Sequence, residues 1–400
     1  MKWILICQLF FYSFLSNAQF LKQGQWRGNI HFQEGTVPFT LEVGYPNGDT
    51  PQITLINGKE RRVINNAIQK GDSLTIPLDP FDVAIKAKFT AMSMEGEFHK
   101  YYRGDTFPFS AVFGQPRMTK KSVKSPVPVA ERWDITFDPE TSNMSKGVGI
   151  FEQNGSSITG TILTKVSDYR YLEGMVDGDS IKLSCFDGIH AFMILGQKSE
   201  NGWKGKIIYD DTYSEPWVAV ADPNASLPDP FDMVQTKPGK QKPYYDLLGA
   251  GSGKNAIDPT KYQGKVLIIQ LFGTWCPNSH DQTTYLVDWY KKNKEKDIAI
   301  LASSYEANYS QEYGLERIEK YKSVNGIEYD MVLGGRLSKT AAAMPFPFME
   351  KIEAFPTLVI VDKQGYVRYV HSYFNGPATG SYYTEFDDRF NAIIAELLAE

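Results

Sequence analysis

The feature that constrains this chain most is an uninterrupted apolar run, Val266–Phe272, that leads into the segment Gly273-Thr-Trp-Cys-Pro-Asn-Ser279. An apolar run without alternation is typical of a strand buried on both faces of a sheet, which occurs where helices cover both sides. An amphipathic pattern follows up to Lys294 and predicts a helix. Cys276 therefore falls at the junction between a central strand and a helix.

Alternating strands and helices continue to the C-terminus. The sequence predicts strands over 298–303, 329–333, 358–361 and 366–370, and helices over 311–322 and 386–398. This order, with Trp275-Cys276-Pro277 at a strand–helix junction and a distant Phe355-Pro356-Thr357, predicts an α/β thioredoxin fold over residues 246–400.

These motifs resemble the TlpA/ResA-like branch of the thioredoxin family, which are exported thiol–disulfide oxidoreductases. The resemblance extends from Tyr262 to the C-terminus and is also carried by Asp362-Lys-Gln-Gly365 and Gly376-Pro-Ala-Thr-Gly380. It implies that Pro356 is a cis proline lying against the reactive sulfur. It also implies that the Phe355 backbone pairs with a bound peptide, in a groove to which Trp275, Pro277, Asn278 and Thr357 contribute.

The position of Cys276 gives an independent reason to expect reactivity. A cysteine at a helix N-terminus faces unpaired backbone N–H groups and the positive end of the helix dipole, which favour the thiolate. The thiolate is the form that attacks a disulfide sulfur. We therefore predict that Cys276 is a nucleophile.

Two positions depart from the family pattern. Ser279 stands where relatives carry the second cysteine, and Gln282 stands where they carry a glutamate that handles protons. A hydroxyl does not attack a disulfide at neutral pH, and an amide has no proton to exchange. His280, beside Cys276 in the same segment, is expected to be an exposed helix residue, with tuning of the thiol as the alternative. A dithiol cycle at this site is therefore not expected.

The pattern of residues 1–18 is typical of an export signal. Lys2 supplies the positive charge, Ile4–Leu15 the apolar stretch, and Ser16-Asn-Ala18 the small residues of a cleavage site. The apolar stretch is shorter than the ~20 residues that a spanning helix needs, and no later segment is long enough. We expect cleavage after Ala18 and a periplasmic protein without a membrane span.

Residues 19–116 and 129–222 are predicted to be two similar β-rich units, folded as sandwiches or barrels. Lys70-Gly-Asp-Ser-Leu74 recurs as Asp177-Gly-Asp-Ser-Ile181. Trp26 and Gly96 of the first unit correspond to Trp133 and Gly205 of the second. Alternating apolar residues indicate antiparallel strands. The basic segment 117–128 is expected to be a solvated connector, and the proline-rich segment 223–245 an interdomain linker.

Three cysteines are too few for a disulfide scaffold, and Cys7 leaves with the signal. Cys185 lies on the inward face of an alternating strand and is expected to be a core residue; a bridge to Cys276 is the alternative. A net charge of −5 offers no basic surface for nucleic acid. The five histidines show no metal-ligand spacing, so neither metal nor cofactor is expected. His371 is expected at the surface.

Three functions remain open at this point. The first is a monothiol protein in which Cys276 forms mixed disulfides that an external thiol resolves. The second is a redox-inactive thioredoxin-like module that holds peptides, and the third is an envelope scaffold. The partners expected for the first are thiol- or disulfide-bearing exported proteins or small thiols. The resemblance of the β-units points to larger family members of the Bacteroidetes type, and no oligomeric state is predicted.

Overall fold

The computed structural model describes residues 20–209, 213–237, 239–249, 257–308 and 310–400. Over these residues the chain forms two β-rich units followed by a mixed sheet with helices on both sides. The prediction of an all-β region followed by a thioredoxin fold is confirmed. The expected export signal, residues 1–18, lies outside the described residues. Within them, no helix combines the length and the apolar character needed to cross a membrane.

The first unit is a nine-stranded antiparallel sheet in the order β4-β3-β2-β1-β9-β8-β7-β6-β5. Alternating side chains such as Trp26 and Ile30 point into its core, while Arg27 and His31 point outward. Its strands are β1 (Gly24–Phe32), β2 (Gly35–Asn47), β3 (Thr50–Asn57), β4 (Glu60–Ile64), β5 (Ile68–Lys70), β6 (Ser73–Pro77), β7 (Val83–Phe89), β8 (Ser93–Lys100) and β9 (Asp105–Phe113).

The second unit is a closed eight-stranded barrel in which each strand pairs with the next and the last strand pairs with the first. Its core is lined by Trp133, Phe151 and Trp217, among others. The strands are β10 (Arg132–Phe137), β11 (Ser145–Asn154), β12 (Ser157–Thr164), β13 (Leu172–Asp177), β14 (Ser180–Phe186), β15 (Ala191–Ser199), β16 (Gly202–Tyr209) and β17 (Tyr213–Ala221).

The two units share a meander topology in which the first strand pairs with the last. Trp26 in β1 lies opposite Phe113 of the unit's last strand, and Trp133 in β10 lies opposite Ala221 of its own last strand. The units differ in strand number, nine against eight, and in closure. In the first unit β4 and β5 do not pair with each other, so that sheet stays open, whereas every strand of the second unit pairs with the next.

The units pack against each other, and the basic connector takes part in this contact. Phe186 of the barrel packs on Phe39 of the first unit, with ring centroids 4.5 Å apart. Arg117 is buried between the units and donates to the Ser184 carbonyl at 3.1 Å. The expectation of a solvated connector is therefore wrong at Arg117, because its guanidinium is buried and hydrogen-bonds to backbone carbonyls of both units, those of Ile56 and Ser184.

The C-terminal domain has a five-stranded sheet in the order β20-β19-β18-β21-β22. β18, β19 and β20 are parallel, and β21 runs antiparallel to them. β22 pairs antiparallel with β21 and therefore runs in the direction of the first three strands. The strands are β18 (Val266–Phe272), β19 (Ile298–Glu306), β20 (Asp330–Arg336), β21 (Thr357–Val361) and β22 (Val367–His371). The helices are α1 (Pro277–Asn293), α2 (Gln311–Asn325), α3 (Lys339–Ala343) and α4 (Ser381–Ala399).

Capping residues explain where the helices of this domain begin and end. Ser310 accepts a hydrogen bond from the Tyr313 backbone N–H at the start of α2, and Gly326 ends that helix in the left-handed conformation. The predicted helix over 386–398 begins earlier, at Ser381, since Gly380 has a φ of 62° that helical residues do not adopt. The five-residue helix α3 was not predicted because it is too short to show a period.

The proline-rich segment lies along the outer edge of the C-terminal sheet. The Val367 backbone N–H donates to the Gln241 carbonyl at 2.7 Å, and the Ser372 N–H donates to the Pro230 carbonyl at 3.1 Å. Proline lacks an N–H but keeps its carbonyl, so a proline-rich segment can cover an edge strand without extending the sheet.

Candidate active site

Cys276 is placed by the exit of the central strand. All seven residues of β18 are buried, and the chain leaves the sheet at Gly273. A Cβ on Gly273 would lie 2.3 Å from Trp275 Nε1, so the turn needs glycine there. Trp275 Nε1 donates to the Tyr305 carbonyl at 2.9 Å, and Cys276 is the N-cap residue of α1 with Pro277 in its first turn.

The sulfur of Cys276 lies against the loop that precedes β21. Its Sγ donates to the Phe355 carbonyl at 3.6 Å, and the Phe355–Pro356 peptide bond is cis. Trp275 packs edge-on against Phe355 at 6.2 Å. Thr357 begins β21 and donates Oγ1 to the Ala354 carbonyl at 2.8 Å, which fixes the loop. Of the residues that the resemblance implied for the groove, Trp275, Asn278 and Phe355 line the same cavity as the sulfur.

The thiol is more buried than its helix position suggests. Cys276 is 7% exposed, and burial raises its pKa above the ordinary value. The Ser279 hydroxyl and the backbone N–H groups of Ser279 and Asn278 oppose this effect by hydrogen bonding to the sulfur, without reversing it. Desolvation of the charged form thus opposes the stabilisation of the thiolate that the helix N-terminus provides, and the role of Cys276 as a nucleophile stays a prediction.

Ser279 and Gln282 are both fully buried behind Cys276. Ser279 Oγ accepts a long hydrogen bond from the Gly273 N–H at 3.5 Å. Gln282 Oε1 accepts from Gln270 Nε2 at 3.1 Å, which links α1 to the central strand. The side-chain amides of Gln282 and Gln270 thus pair with each other, and neither Ser279 nor Gln282 carries a carboxyl or thiol group.

His280 is not the exposed helix residue that was expected. Its ring lies between Phe81 of the first unit and Tyr321 of α2, at 5.7 and 6.2 Å. Burial lowers its pKa well below the ordinary value, and the nearby Arg62 and Arg170 lower it further. His280 is therefore a neutral packing residue where the first unit meets α1 and α2.

His371 also differs from expectation, since it is buried in the C-terminal domain and not at the surface. Its ring packs at a tilt between Phe231 of the proline-rich segment and Phe386 of α4, with ring centroids 4.5 and 4.7 Å apart. Burial lowers its pKa to about 3, with a smaller contribution from Arg389. The sequence could not reveal this burial, because both aromatic neighbours come from other segments.

The barrel supplies the opposite wall of the site. Cys276 lines a cavity of about 520 Å³ that lies between the C-terminal domain and two barrel loops. The C-terminal domain contributes Trp275, Cys276, Asn278, Leu337, Ser338, Lys339, Ala354 and Phe355, and the barrel contributes Val166, Ser167, Asp168, Arg170, Asp187, His190 and Phe192.

Asp168 ties the barrel to the active-site turn. Its Oδ2 accepts from Asn278 Nδ2 at 3.1 Å and from the Gly376 N–H at 2.9 Å, while its Oδ1 accepts from the Arg170 N–H at 2.8 Å. Burial raises the pKa of this carboxyl. These contacts join three segments that are far apart in the chain.

Arg170 is the centre of a buried ion-pair cluster. It pairs with Asp281 of α1 and with Glu60 of the first unit, the latter at 2.6 Å. Its φ of 53° is uncommon for a residue with a side chain and aims the guanidinium at both partners. Burial raises the pKa of Asp281 to about 7 despite the opposing effect of Arg170. Ionisable side chains of both β-rich units and of the C-terminal domain therefore meet close to Cys276.

Asp187 and His190 form a second polar pair in the cavity wall. Asp187 Oδ1 accepts from the Ile189 and His190 backbone N–H groups at 2.9 and 2.7 Å, and Oδ2 lies 3.4 Å from His190 Nδ1. Burial would raise the pKa of Asp187, but His190 and Arg170 together hold it well below the ordinary value. Asp187 is thus ionised.

Sequence reasoning missed Asp168, Arg170, Asp187 and His190. The contacts from Asp168 to Asn278 and from Arg170 to Asp281 join residues at least 110 positions apart. Hydrophobic periodicity and short sequence motifs cannot indicate contacts between residues so far apart in the chain.

Cys185 lies in the barrel core, as predicted. It is fully buried among the inward-facing residues of the barrel, and burial raises its pKa well above the ordinary value. Cys185 and Cys276 are both free thiols, so the alternative of a bridge between them is wrong. Over the described residues, no group of three or more histidine, cysteine or acidic side chains is arranged to hold a metal ion.

Comparison with known proteins supports the family of the C-terminal domain. Residues 217–370 match the AhpC/TSA family. Two curated proteins called thiol-disulfide oxidoreductase ResA, from Bacillus thuringiensis subsp. konkukian (strain 97-27) and Bacillus cereus (strain ATCC 10987 / NRS 248), are each 26% identical over 129 residues. That match covers 32% of this chain and 66% of each relative, so the chain spans slightly less than two thirds of their length.

Solved structures that this chain matches include a thiol:disulfide interchange protein from Chlorobium tepidum TLS, with 18% identity and a TM-score of 0.29. It matches 41% of this chain and 99% of its own. A putative protein disulfide isomerase from Bacteroides thetaiotaomicron has 16% identity and a TM-score of 0.27, matching 42% of this chain and 92% of its own.

Proposed function

We propose that this chain, whose residues 217–370 match the AhpC/TSA family of the thioredoxin superfamily, carries out thiol–disulfide exchange through the single thiol of Cys276. The observation that carries the proposal is the position of this sulfur. It lies at the N-terminus of α1, against the loop of the cis proline Pro356, and it lines an open cavity.

The chemistry needs one thiol at a time. The Cys276 thiolate attacks one sulfur of a disulfide RS–SR, which forms Cys276–S–SR and releases one RS⁻. An external thiol then attacks the mixed disulfide, forms a new disulfide and returns Cys276 to the thiolate. Ser279 cannot perform the second step from within, because a hydroxyl is not a nucleophile toward disulfides at neutral pH.

The surroundings of Cys276 support this role. The Ser279 hydroxyl and two backbone N–H groups hydrogen-bond to the sulfur and stabilise its charged form. The Phe355 carbonyl accepts a hydrogen bond from the thiol. Burial keeps the resting thiol protonated, which is consistent with an exchange step that begins only when a disulfide has entered the cavity.

The proposal extends to location and relatives. We propose export to the periplasm with cleavage after Ala18, and kinship with the larger Bacteroidetes-type members of the TlpA/ResA branch, on the sequence features described above. Thiol- or disulfide-bearing partners follow from the chemistry of Cys276.

The experiment compares the parent chain with Cys276→Ala and Ser279→Cys in the reduction of a glutathione mixed disulfide and of insulin, with an external thiol present. The parent should form an adduct and turn over only with that thiol, and Cys276→Ala should do neither. Ser279→Cys should gain internal release of the bound thiol. If the parent forms no adduct and Cys276→Ala behaves identically, a redox-inactive binding module replaces the proposal.

A further inference from the structure

The cavity of the candidate active site carries apolar side chains from two domains. Val166 of the barrel and Leu337 of the C-terminal domain both line it, and they remain 43% and 38% exposed. Phe192 of the barrel lines the same cavity as Trp275 and Phe355. A ligand that covers these side chains removes apolar surface from water, which is the main source of affinity in concave sites.

The buried charged groups of this cavity are paired within the protein. The two carboxyls of the lining, Asp168 and Asp187, are balanced by two cations, Arg170 and Lys339. Asp168 accepts three hydrogen bonds, and Asp187 lies between Arg170 and His190. A charged substrate group therefore finds no unpaired counter-ion among the described, buried residues of the lining, so that the apolar surface is left to distinguish between substrates.

The apolar surface continues from the cavity onto the barrel. Val166 also lines a second hollow of about 260 Å³ together with Met144, which is 57% exposed. Val166 follows β12 and Met144 precedes β11, so both lie at the same end of neighbouring strands. Because the two hollows share Val166, a chain that leaves the cavity passes onto further apolar surface. This continuity favours an extended peptide over a small thiol, which the cavity alone could hold.

Resting on the proposed monothiol exchange, we infer that Val166, Phe192 and Leu337 form an apolar subsite that selects extended peptides with an aliphatic residue next to the reacting cysteine. The Cys276 thiolate attacks the cysteine sulfur of a peptide disulfide, the bond between the two sulfurs forms, and the other half of the disulfide leaves as a thiolate. An external thiol then attacks the mixed disulfide and releases the peptide. The barrel thus determines which disulfides reach the thiol.

The test measures adduct formation on the reduced full chain by intact mass. The probes are the symmetrical disulfides of three neutral peptides, acetyl-Leu-Cys-Ser-amide, acetyl-Ser-Cys-Leu-amide and acetyl-Ser-Cys-Ser-amide, and bis(2-hydroxyethyl) disulfide as a small thiol source. Each rate is divided by that of N-acetylcysteine amide with the same disulfide, which removes the intrinsic reactivity of the disulfide. At least one leucine peptide should react about tenfold faster than the all-serine peptide, equivalent to about 1.4 kcal/mol.

Two substitutions at the exposed part of the subsite locate the effect. Val166→Ser and Leu337→Ser should each reduce the preference for leucine by about threefold, equivalent to ~0.7 kcal/mol. The matched control Val218→Ser changes a valine that is 40% exposed on β17 of the barrel, outside the cavity lining, and should leave the preference unchanged. Because all three side chains are more than a third exposed, these variants should keep the thermal unfolding midpoint of the parent.

The outcomes separate this inference from the function on which it rests. Equal normalised rates for the leucine and all-serine peptides, or a faster rate for bis(2-hydroxyethyl) disulfide than for both leucine peptides, would overturn the inference and leave monothiol exchange intact. A leucine preference that neither Val166→Ser nor Leu337→Ser reduces would also overturn it. Failure to form an adduct with any of the four disulfides would overturn both.

Discussion

Asn278, two residues after Cys276, donates a hydrogen bond from its side-chain amide to Asp168 of the barrel at 3.1 Å, and both residues are buried. The turn that carries Cys276 is thus held by a residue of a different domain. The same carboxylate accepts the Gly376 N–H, so the turn and the 376 loop share one anchor.

Asp168→Ala should weaken the attachment of the Asn278 turn and of the 376 loop to the barrel. Asn278 Nδ2 and the Gly376 N–H would both lose their acceptor, and each unsatisfied buried donor costs about 1–3 kcal/mol. Hydrogen exchange of peptides covering 273–281 and 372–380 should accelerate by about tenfold or more, the factor that ~1.4 kcal/mol produces. Asp134→Ala, which breaks an exposed pair, serves as the control; equal protection in the two variants would show that Asp168 anchors nothing.

The alkylation rate of Cys276 should keep rising with pH beyond the point where an unfolded cysteine is fully reactive. Burial raises the pKa of the thiol, so the thiolate forms at higher pH than in a free peptide. Ser279→Ala removes a hydroxyl that stabilises the thiolate and should slow iodoacetamide labelling at pH 8 by about threefold, as expected from a hydrogen bond of ~0.7 kcal/mol. Labelling by mass spectrometry measures this, with a denatured chain as reference. A Cys276 profile that matches the denatured chain would contradict the prediction.

His371 should make the C-terminal domain sensitive to acid. Its pKa is about 3 in the folded chain and about 6.5 in an unfolded one. Between these values the unfolded state binds the extra proton, so stability falls as pH drops from 6.5 towards 3, by up to about 4 kcal/mol. His371→Leu should flatten that part of the dependence of urea unfolding on pH. If the free energy of unfolding falls with decreasing pH as steeply in the variant as in the parent, groups other than His371 cause the acid sensitivity.

Gly96 should tolerate no side chain. A Cβ there would lie 2.0 Å from the Lys86 carbonyl oxygen on the neighbouring strand β7, so Gly96→Ala should destabilise the first unit by about 1–3 kcal/mol. The control is Gly44→Ala in the same sheet, where the nearest atom is 4.0 Å away and the change should be within about 0.5 kcal/mol. Thermal unfolding compares the two, and equal midpoints would contradict the packing argument.

The same geometry explains part of the internal repeat. Gly205 of the second unit corresponds to Gly96. A Cβ on Gly205 would lie 1.8 Å from the Leu195 carbonyl oxygen. Glycine at these two positions is a requirement of strand packing. It could be recognised from the sequence alone because the spacing of the two units is regular.

The sequence predicted the strand, turn and helix around Cys276 because each depends on local pattern. The apolar run of β18, the proline in the first turn of α1 and the glycine at 273 act within a few residues. The sequence could not predict which barrel residues line the cavity opposite Cys276. Asp168 and Arg170 reach the site only after the barrel has closed, and the burial of His280 depends on Phe81 from the first unit.

The raised pKa of Cys276 has the same origin. The helix N-terminus is visible in the sequence and favours the thiolate, whereas the desolvation that outweighs it comes from the assembled domains.

The most direct test of single-thiol exchange is the lifetime of the mixed disulfide. The reduced full chain is mixed with a slight excess of cystamine, free thiol is removed, and the mass of the Cys276 adduct is followed with and without added cysteamine. We predict one adduct at Cys276 that persists until cysteamine is added, and no adduct in Cys276→Ser. Loss of the adduct without added thiol, or an adduct that survives in Cys276→Ser, would contradict exchange through a single cysteine.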